Sequence, residues 1–176
     1  MVSYNCVLDI EFNEDSITEP VTLEEAKNFC KIDIDTDNDL LDLMITSARE
    51  MCEDYTNIGF VQHEVVAVIN NGNGGVLLPY GPTGEITEIT DSNDTVLDEG
   101  TGYTLSGNLF KSILTPKADN LTVTYATGYE VLPMRLKLAV LNQIYFLYDN
   151  RSQTAVKDSS ISPITAMILK PVSRVI

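Results

Sequence analysis

The chain has 176 residues, with 26 acidic against 11 basic side chains, a net charge of −15 and a hydrophobic fraction of 44%. That balance supplies enough apolar material for a core and too little clustered Lys and Arg to neutralise phosphates, which excludes a disordered chain and a sequence-independent nucleic-acid binder. No apolar run reaches the roughly 18 residues needed to span a bilayer, and residues 1–19 lack a basic n-region and an apolar h-region, so neither a membrane contact nor a signal peptide is expected.

Residues 3–12 alternate in part and predict a strand, broken at Glu19-Pro20. Thr22-Leu23-Glu24-Glu25 is a capping box, with Val21 placed to staple onto Ala26. The helix it opens runs to about Lys31, with Leu23, Ala26, Phe29 and Cys30 on one face. After an acidic turn, a second helix is expected from Asp37–Asp39 to about Tyr55. Its apolar positions Leu40, Leu41, Met44, Ile45, Ala48, Met51, Cys52 and Tyr55 follow a 3.6-residue period. Asn57-Ile58-Gly59 supplies a left-handed stop.

From Val61 to Tyr125 the period falls to 2. Strands are expected at His63–Ile69, Val76–Leu78, Glu85–Thr90, Thr95–Leu97 and Leu121–Tyr125. Tyr103–Leu105 and Leu109-Phe110 read as a tight hairpin around Ser106-Gly107-Asn108. Ile86 and Ile89 are three apart, which leaves the exposed face of their strand unset. Gly128 and Pro133 mark the return to helix. Met134–Asn150 is apolar nearly all round and is expected to be buried on more than one side, by its own domain and by a partner. Residues 151–162 form a polar loop, and Pro163 opens a short helix to about Lys170, stopped by Pro171. The expected fold is α+β in one domain spanning 1–176. A small helical bundle of about four helices (20–59 and 131–176) carries an inserted antiparallel β unit (60–130).

Three cysteines, Cys6, Cys30 and Cys52, form no C-x-x-C pair, so a disulfide framework is not expected; Cys30 and Cys52 read as small buried hydrophobes. With one histidine and no phosphate loop, zincin or nucleophile-elbow motif, the chain shows no catalytic constellation and calls for no cofactor. The acidic turn Asp33-Ile34-Asp35-Thr36-Asp37-Asn38-Asp39 has carboxylates at alternate positions, as a calcium loop does. Counted from Asp33, its sixth position is Asn38 instead of Gly and its twelfth Met44 instead of Glu. Helix capping accounts for the same residues. Asp33, Asp35 and Asp37 remain candidate ligands for an alternative reading, an acidic divalent-cation-binding interaction module.

Charge is unevenly spread: residues 1–54 carry 15 acids and 3 bases, and residues 131–176 carry 2 acids and 6 bases. An acidic first third and a basic last third can complement each other between copies, and head-to-tail contacts of that kind close into rings. The candidate basic interface residues are Arg151, Lys157, Lys170 and Arg174. The candidate acidic, complementary or channel-facing residues are Asp35, Asp37, Asp39, Asp42, Glu50 and Glu53.

Three segments in order resemble the head–tail connector (adaptor, or head-completion) proteins of long-tailed bacteriophages. They are Glu19–Lys27 followed by Asp39–Thr56; Val123-Thr124-Tyr125-Ala126-Thr127-Gly128-Tyr129 leading through Pro133 to Leu147-Tyr148-Asp149-Asn150-Arg151; and Ile168-Leu169-Lys170-Pro171. The chain departs from the family pattern at Lys31 and in ending Pro171-Val172-Ser173-Arg174. The resemblance implies a structural virion protein and not an enzyme. It implies a homo-oligomeric ring of roughly a dozen copies, docked on the portal and joined to a stopper or tail-completion protein. Such a ring extends the channel for DNA that passes without being gripped. On this analogy the protein is made in the host cytoplasm, sits at the head–tail junction, and turns Arg151–Arg174 towards the portal.

Overall fold

The structure, a computed structural model, describes residues 7–13, 17–70, 75–115, 120–151 and 161–174. It has an α+β fold of two compact units. One holds the described residues up to Ile17 together with Val61–Glu130; the other holds Thr18–Phe60 and the described residues from Val131 onward.

The first unit is antiparallel β. Strands β1 (Val7–Asn13), β2 (His63–Asn70), β4 (Thr83–Asp91) and β7 (Asn120–Thr127) form a sheet in the order β1-β2-β7-β4; β3 (Gly75–Leu77), β5 (Thr104–Ser106) and β6 (Ser112–Leu114) form another in the order β3-β6-β5. Alternation sets the register. Val65, Ala67 and Ile69 lie opposite Tyr125, Val123 and Leu121, so all six point to one face. They are fully buried there with Val76, Leu78 and Ile113, which makes one core shared by both sheets. Each such Ile or Leu contributes about 1.5–3 kcal/mol by leaving water. Tyr125 Oη at the centre donates to Pro79 O at 2.6 Å, so its buried hydroxyl is satisfied.

Strand β4 resolves the three-residue spacing of its apolar side chains. Ile86 pairs with Tyr125 and Ile89 with Val123, three steps on one strand against two on the other, with a register shift between Ile86 and Glu88. The extra residue of a bulge turns an i, i+3 pair onto a single face. Two expectations need correction. Thr95–Leu97 forms a single bridge, Thr90 to Val96, and no strand. Leu109-Phe110 lies in the loop between β5 and β6, whose true partner strand is Ser112–Leu114. Gly107, at φ 99°, makes that loop: a Cβ there would sit 2.3 Å from Phe110 O.

The second unit is helical, with α1 (Leu23–Cys30), α2 (Asn38–Thr56), α3 (Met134–Asp149) and α4 (Pro163–Leu169). α2 packs on α3, α3 on α4, and α1 against both α2 and α3. The capping box forms as expected: Thr22 N–H donates to Glu25 Oε2 at 3.0 Å and Glu25 N–H to Thr22 Oγ1 at 3.2 Å. α2 ends at Asn57, φ 52°. Its buried face is Leu41, Ile45, Ala48, Cys52 and Thr56. Pro163 takes the first turn of α4, and Ser162 Oγ accepts the Thr165 N–H at 3.0 Å.

Helix α3 is covered by α1, α2 and α4. Within its own unit it buries one face, Leu136, Ala139, Val140, Gln143 and Ile144, while Met134, Leu138 and Tyr145 stay exposed. On α1, Cys30 is only half-buried and Phe29 is exposed, so the expected apolar face is buried at Ala26 alone.

Candidate functional site

The acidic residues of α2 divide by burial, Glu53 being buried and the others exposed. Arg49 is buried too. Its Nε lies 3.0 Å from Glu19 Oε2 and its Nη1 2.6 Å from Glu53 Oε2. Glu53 Oε1 accepts the Phe60 N–H at 2.6 Å, and Thr46 Oγ1 donates to Glu19 Oε1 at 2.9 Å. A guanidinium fork suits two carboxylates at once, and the flanking acids raise its pKa further against the desolvation that opposes them. Glu53 therefore does not belong to an exposed acidic face. It is an internal strut, buried at the i+4 position from Arg49. Asp39, Asp42, Glu50 and Asp54 are exposed, with Leu43 among them 65% exposed. Glu50 makes one longer contact, 3.5 Å to Arg49 Nη2.

The turn before α2 is held by side chains from α1 and α3. Lys27 Nζ donates to Asp35 Oδ1 at 2.6 Å and to Asn38 Oδ1 at 3.0 Å. That ammonium lowers the Asp35 carboxyl below its ordinary value. Tyr148 Oη donates to Asp37 Oδ2 at 2.7 Å, which holds the phenol above its usual pKa. Asp37 occupies the N-cap of α2 but makes no side-chain capping bond, since its carboxylate faces Tyr148 instead. Capping therefore does not explain this aspartate. Asp33 is exposed. Among the described residues no group of three His, Cys, Asp or Glu side chains could hold a metal ion.

The described candidate basic residues, Arg151, Lys170 and Arg174, have different surroundings. Arg151 is exposed and stacks 4.1 Å over the Tyr148 ring, donating to Tyr148 O at 2.8 Å. Lys170 is exposed at the end of α4. Arg174 is tied down through its backbone: its N–H donates to Thr56 O at 2.9 Å and its carbonyl accepts from Asn57 Nδ2 at 2.8 Å. Lys157 lies outside the described residues.

Charge and spacing did not signal the outward side of α3. Leu138 is 44% exposed, Tyr145 47% and Met134 78%. Met134 and Leu138, with Phe29 and Leu141, line an apolar groove of about 750 Å³ beside α1, edged by Arg135 and by the Lys137–Glu25 ion pair at 2.6 Å. The steps 134, 138, 141 and 145 were readable as one helical stripe. What they lacked was a sign of which α3 stripe would be covered.

Comparison with known proteins agrees with this architecture. A protein described as "Virion of native gene transfer agent (GTA) particle" superposes with a TM-score of 0.71 at 15% identity, over 93% of this chain and 95% of that one. "Neck of empty GTA particle computed with C6 symmetry" gives 0.70 at 14% identity, over 94% and 96%. "Neck of native GTA particle computed with C12 symmetry" gives 0.62 at 16%, also over 94% and 96%. At these identities the likeness is one of fold. No curated protein matches the chain in sequence. Residues 19–165, from the start of the capping segment into α4, match the head completion protein family. On that match the chain belongs to the head completion protein family.

Proposed function

We propose that this protein is a structural component of the head–tail junction of a phage-like particle, where copies form a ring of roughly a dozen subunits. The ring docks on the portal, extends the DNA channel and receives a stopper or tail-completion protein. The family match over residues 19–165 carries the reading. The likeness to chains from the neck of a particle treated with C6 and C12 symmetry supports it. The role is architectural and involves no catalysis.

Net charge fits a channel that DNA passes through. At −15 the chain does not grip phosphates. Exposed acids such as Glu85, Glu88, Asp98 and Glu99 repel a strand that comes within about 8 Å at physiological salt. Lys157 and Lys170, in the basic last third, serve the portal contact. Electron microscopy of the protein mixed with portal at low and moderate salt tests the reading. Rings capping the portal are expected; protein that stays monomeric in both conditions overturns it.

A further inference from the structure

We infer that neighbouring copies meet through two unlike helix faces of the helical unit, the outer stripe of α2 on one copy against the outer stripe of α3 on the next. The inference rests on the ring reading above and names the surface that builds the ring. Both faces are exposed in the single chain. On α3, Met134, Leu138 and Tyr145 share one exposed stripe by helical spacing, and the first two line the groove beside Phe29. A stripe of this kind on a soluble helix calls for cover.

The cover is read from charge and length. Arg135 stands exposed in the first turn of α3 and Arg151 just past its end, so the apolar stripe has a cation near each end. Asp149 offsets one of them, and the face stays net positive. The outer face of α2 is the inverse. Asp39 and Asp42 stand at one end and Glu50 and Asp54 at the other, with exposed Leu43 between. At 1.5 Å per residue Asp39 and Asp54 are about 22 Å apart along α2, and Arg135 and Arg151 about 24 Å apart along α3. Acid–apolar–acid therefore matches cation–apolar–cation over the same span. The two faces belong to one chain and differ from each other, so their contact is heterologous, the kind that repeats head to tail and closes a ring. Acidic α2 thus meets α3, and not the basic C-terminal stretch.

Complementary charge reversal tests this on the full chain, with rings scored by negative-stain electron microscopy and sedimentation, alone and with portal. Arg135→Glu with Arg151→Glu reverses the α3 face; Asp42→Lys with Asp54→Lys reverses the α2 face. Each variant alone is expected to assemble about tenfold or more weakly than wild type, because like charges then oppose each other. An equimolar mixture of the two is expected to recover rings, since each reversed face meets a complementary one on the other variant. Leu138→Gln, a neutral change at an exposed position, weakens assembly without touching charge and keeps the test open if a charge variant unfolds. Wild-type rings with any of these variants assembling as readily, or folded variants whose mixture recovers nothing, overturn the surface and leave the ring. Wild type that forms no ring, alone or on portal, overturns the ring reading and this surface with it.

Discussion

Arg49 Nη1 lies 2.6 Å from Glu53 Oε2 inside the helical unit, and both side chains are buried. The same guanidinium holds Glu19 at 3.0 Å, while the other oxygen of Glu53 takes the Phe60 N–H. One side chain on α2 thereby fixes the chain on both sides of the α1–α2 segment. Removing it strands Glu53 without its cation in a site closed to water. Arg49→Ala is expected to cost about 3–5 kcal/mol, which lowers Tm by roughly 6–20 °C in a chain of this length. Thermal unfolding followed by circular dichroism measures it, and a fall of under about 2 °C would contradict the role assigned to the pair.

Thr22 carries the cap of α1. Its hydroxyl accepts the Glu25 N–H, and Glu25 answers at the Thr22 N–H while also pairing with Lys137 of α3. Thr22→Ala is expected to lose about 0.5–2 kcal/mol, and Thr22→Ser to lose far less. Urea midpoints with an unchanged m-value separate the two.

Three carboxyls tie stability to pH in one direction. Glu25 is held below its ordinary pKa chiefly by Lys137, Asp35 chiefly by Lys27, and Asp91 chiefly by the backbone N–H groups of Asn93 and Thr95. A depressed folded-state pKa means that the unfolded chain binds the proton more readily. The stabilisation is complete above the unfolded values near 4 and is lost as pH falls through the lower folded ones. Tm is therefore expected to be level from pH 7 to about 5 and to drop below about 4. Asp91→Asn should lower Tm at pH 7 and shrink the acid-induced drop; an unchanged drop would remove Asp91 from the account.

Cys52 and Cys30 should differ in reactivity. Burial pushes the Cys52 thiol up to about 12, whereas Cys30 is half-buried and raised less. A thiolate is the reacting species, so iodoacetamide at pH 8 is expected to label Cys30 slowly and Cys52 only after denaturation. Peptide mass spectrometry reads both sites. Rapid native labelling of Cys52 would mean that α2 does not pack as described.

Gly128 is constrained twice. Its φ is 91°, and a Cβ would fall 1.8 Å from Val61 O. Gly128→Ala is therefore expected to cost well above the ~1 kcal/mol of a simple glycine replacement, seen as a lower Tm or loss of soluble protein.

Much of the architecture was legible because local rules decide it. The capping box at Thr22, the left-handed stop at Asn57, the period of α2 and the alternation of Val65–Ile69 and Leu121–Tyr125 each need only near neighbours in the chain. The small β elements were harder. A three-residue strand carries too little pattern to be placed, which is why the partner of β5 lies at Ser112–Leu114 and not at Leu109-Phe110. The spacing of Ile86 and Ile89 could not be read without the bulge.

By itself the sequence determined the α+β class, the order of helices and strands, and the resemblance to a head-completion family, because these depend on periodicity, caps and ordered motifs along one line. Tertiary structure alone decided which charges are internal and which are free to meet a partner. Arg49 and Glu53 look like any i, i+4 surface pair until folding buries them, while Asp42 and Asp54 on the same helix stay in water. It also decided which side of α3 is covered. A helix apolar nearly all round specifies burial without direction, and only the packing of α1, α2 and α4 against it leaves Met134, Leu138 and Tyr145 outside.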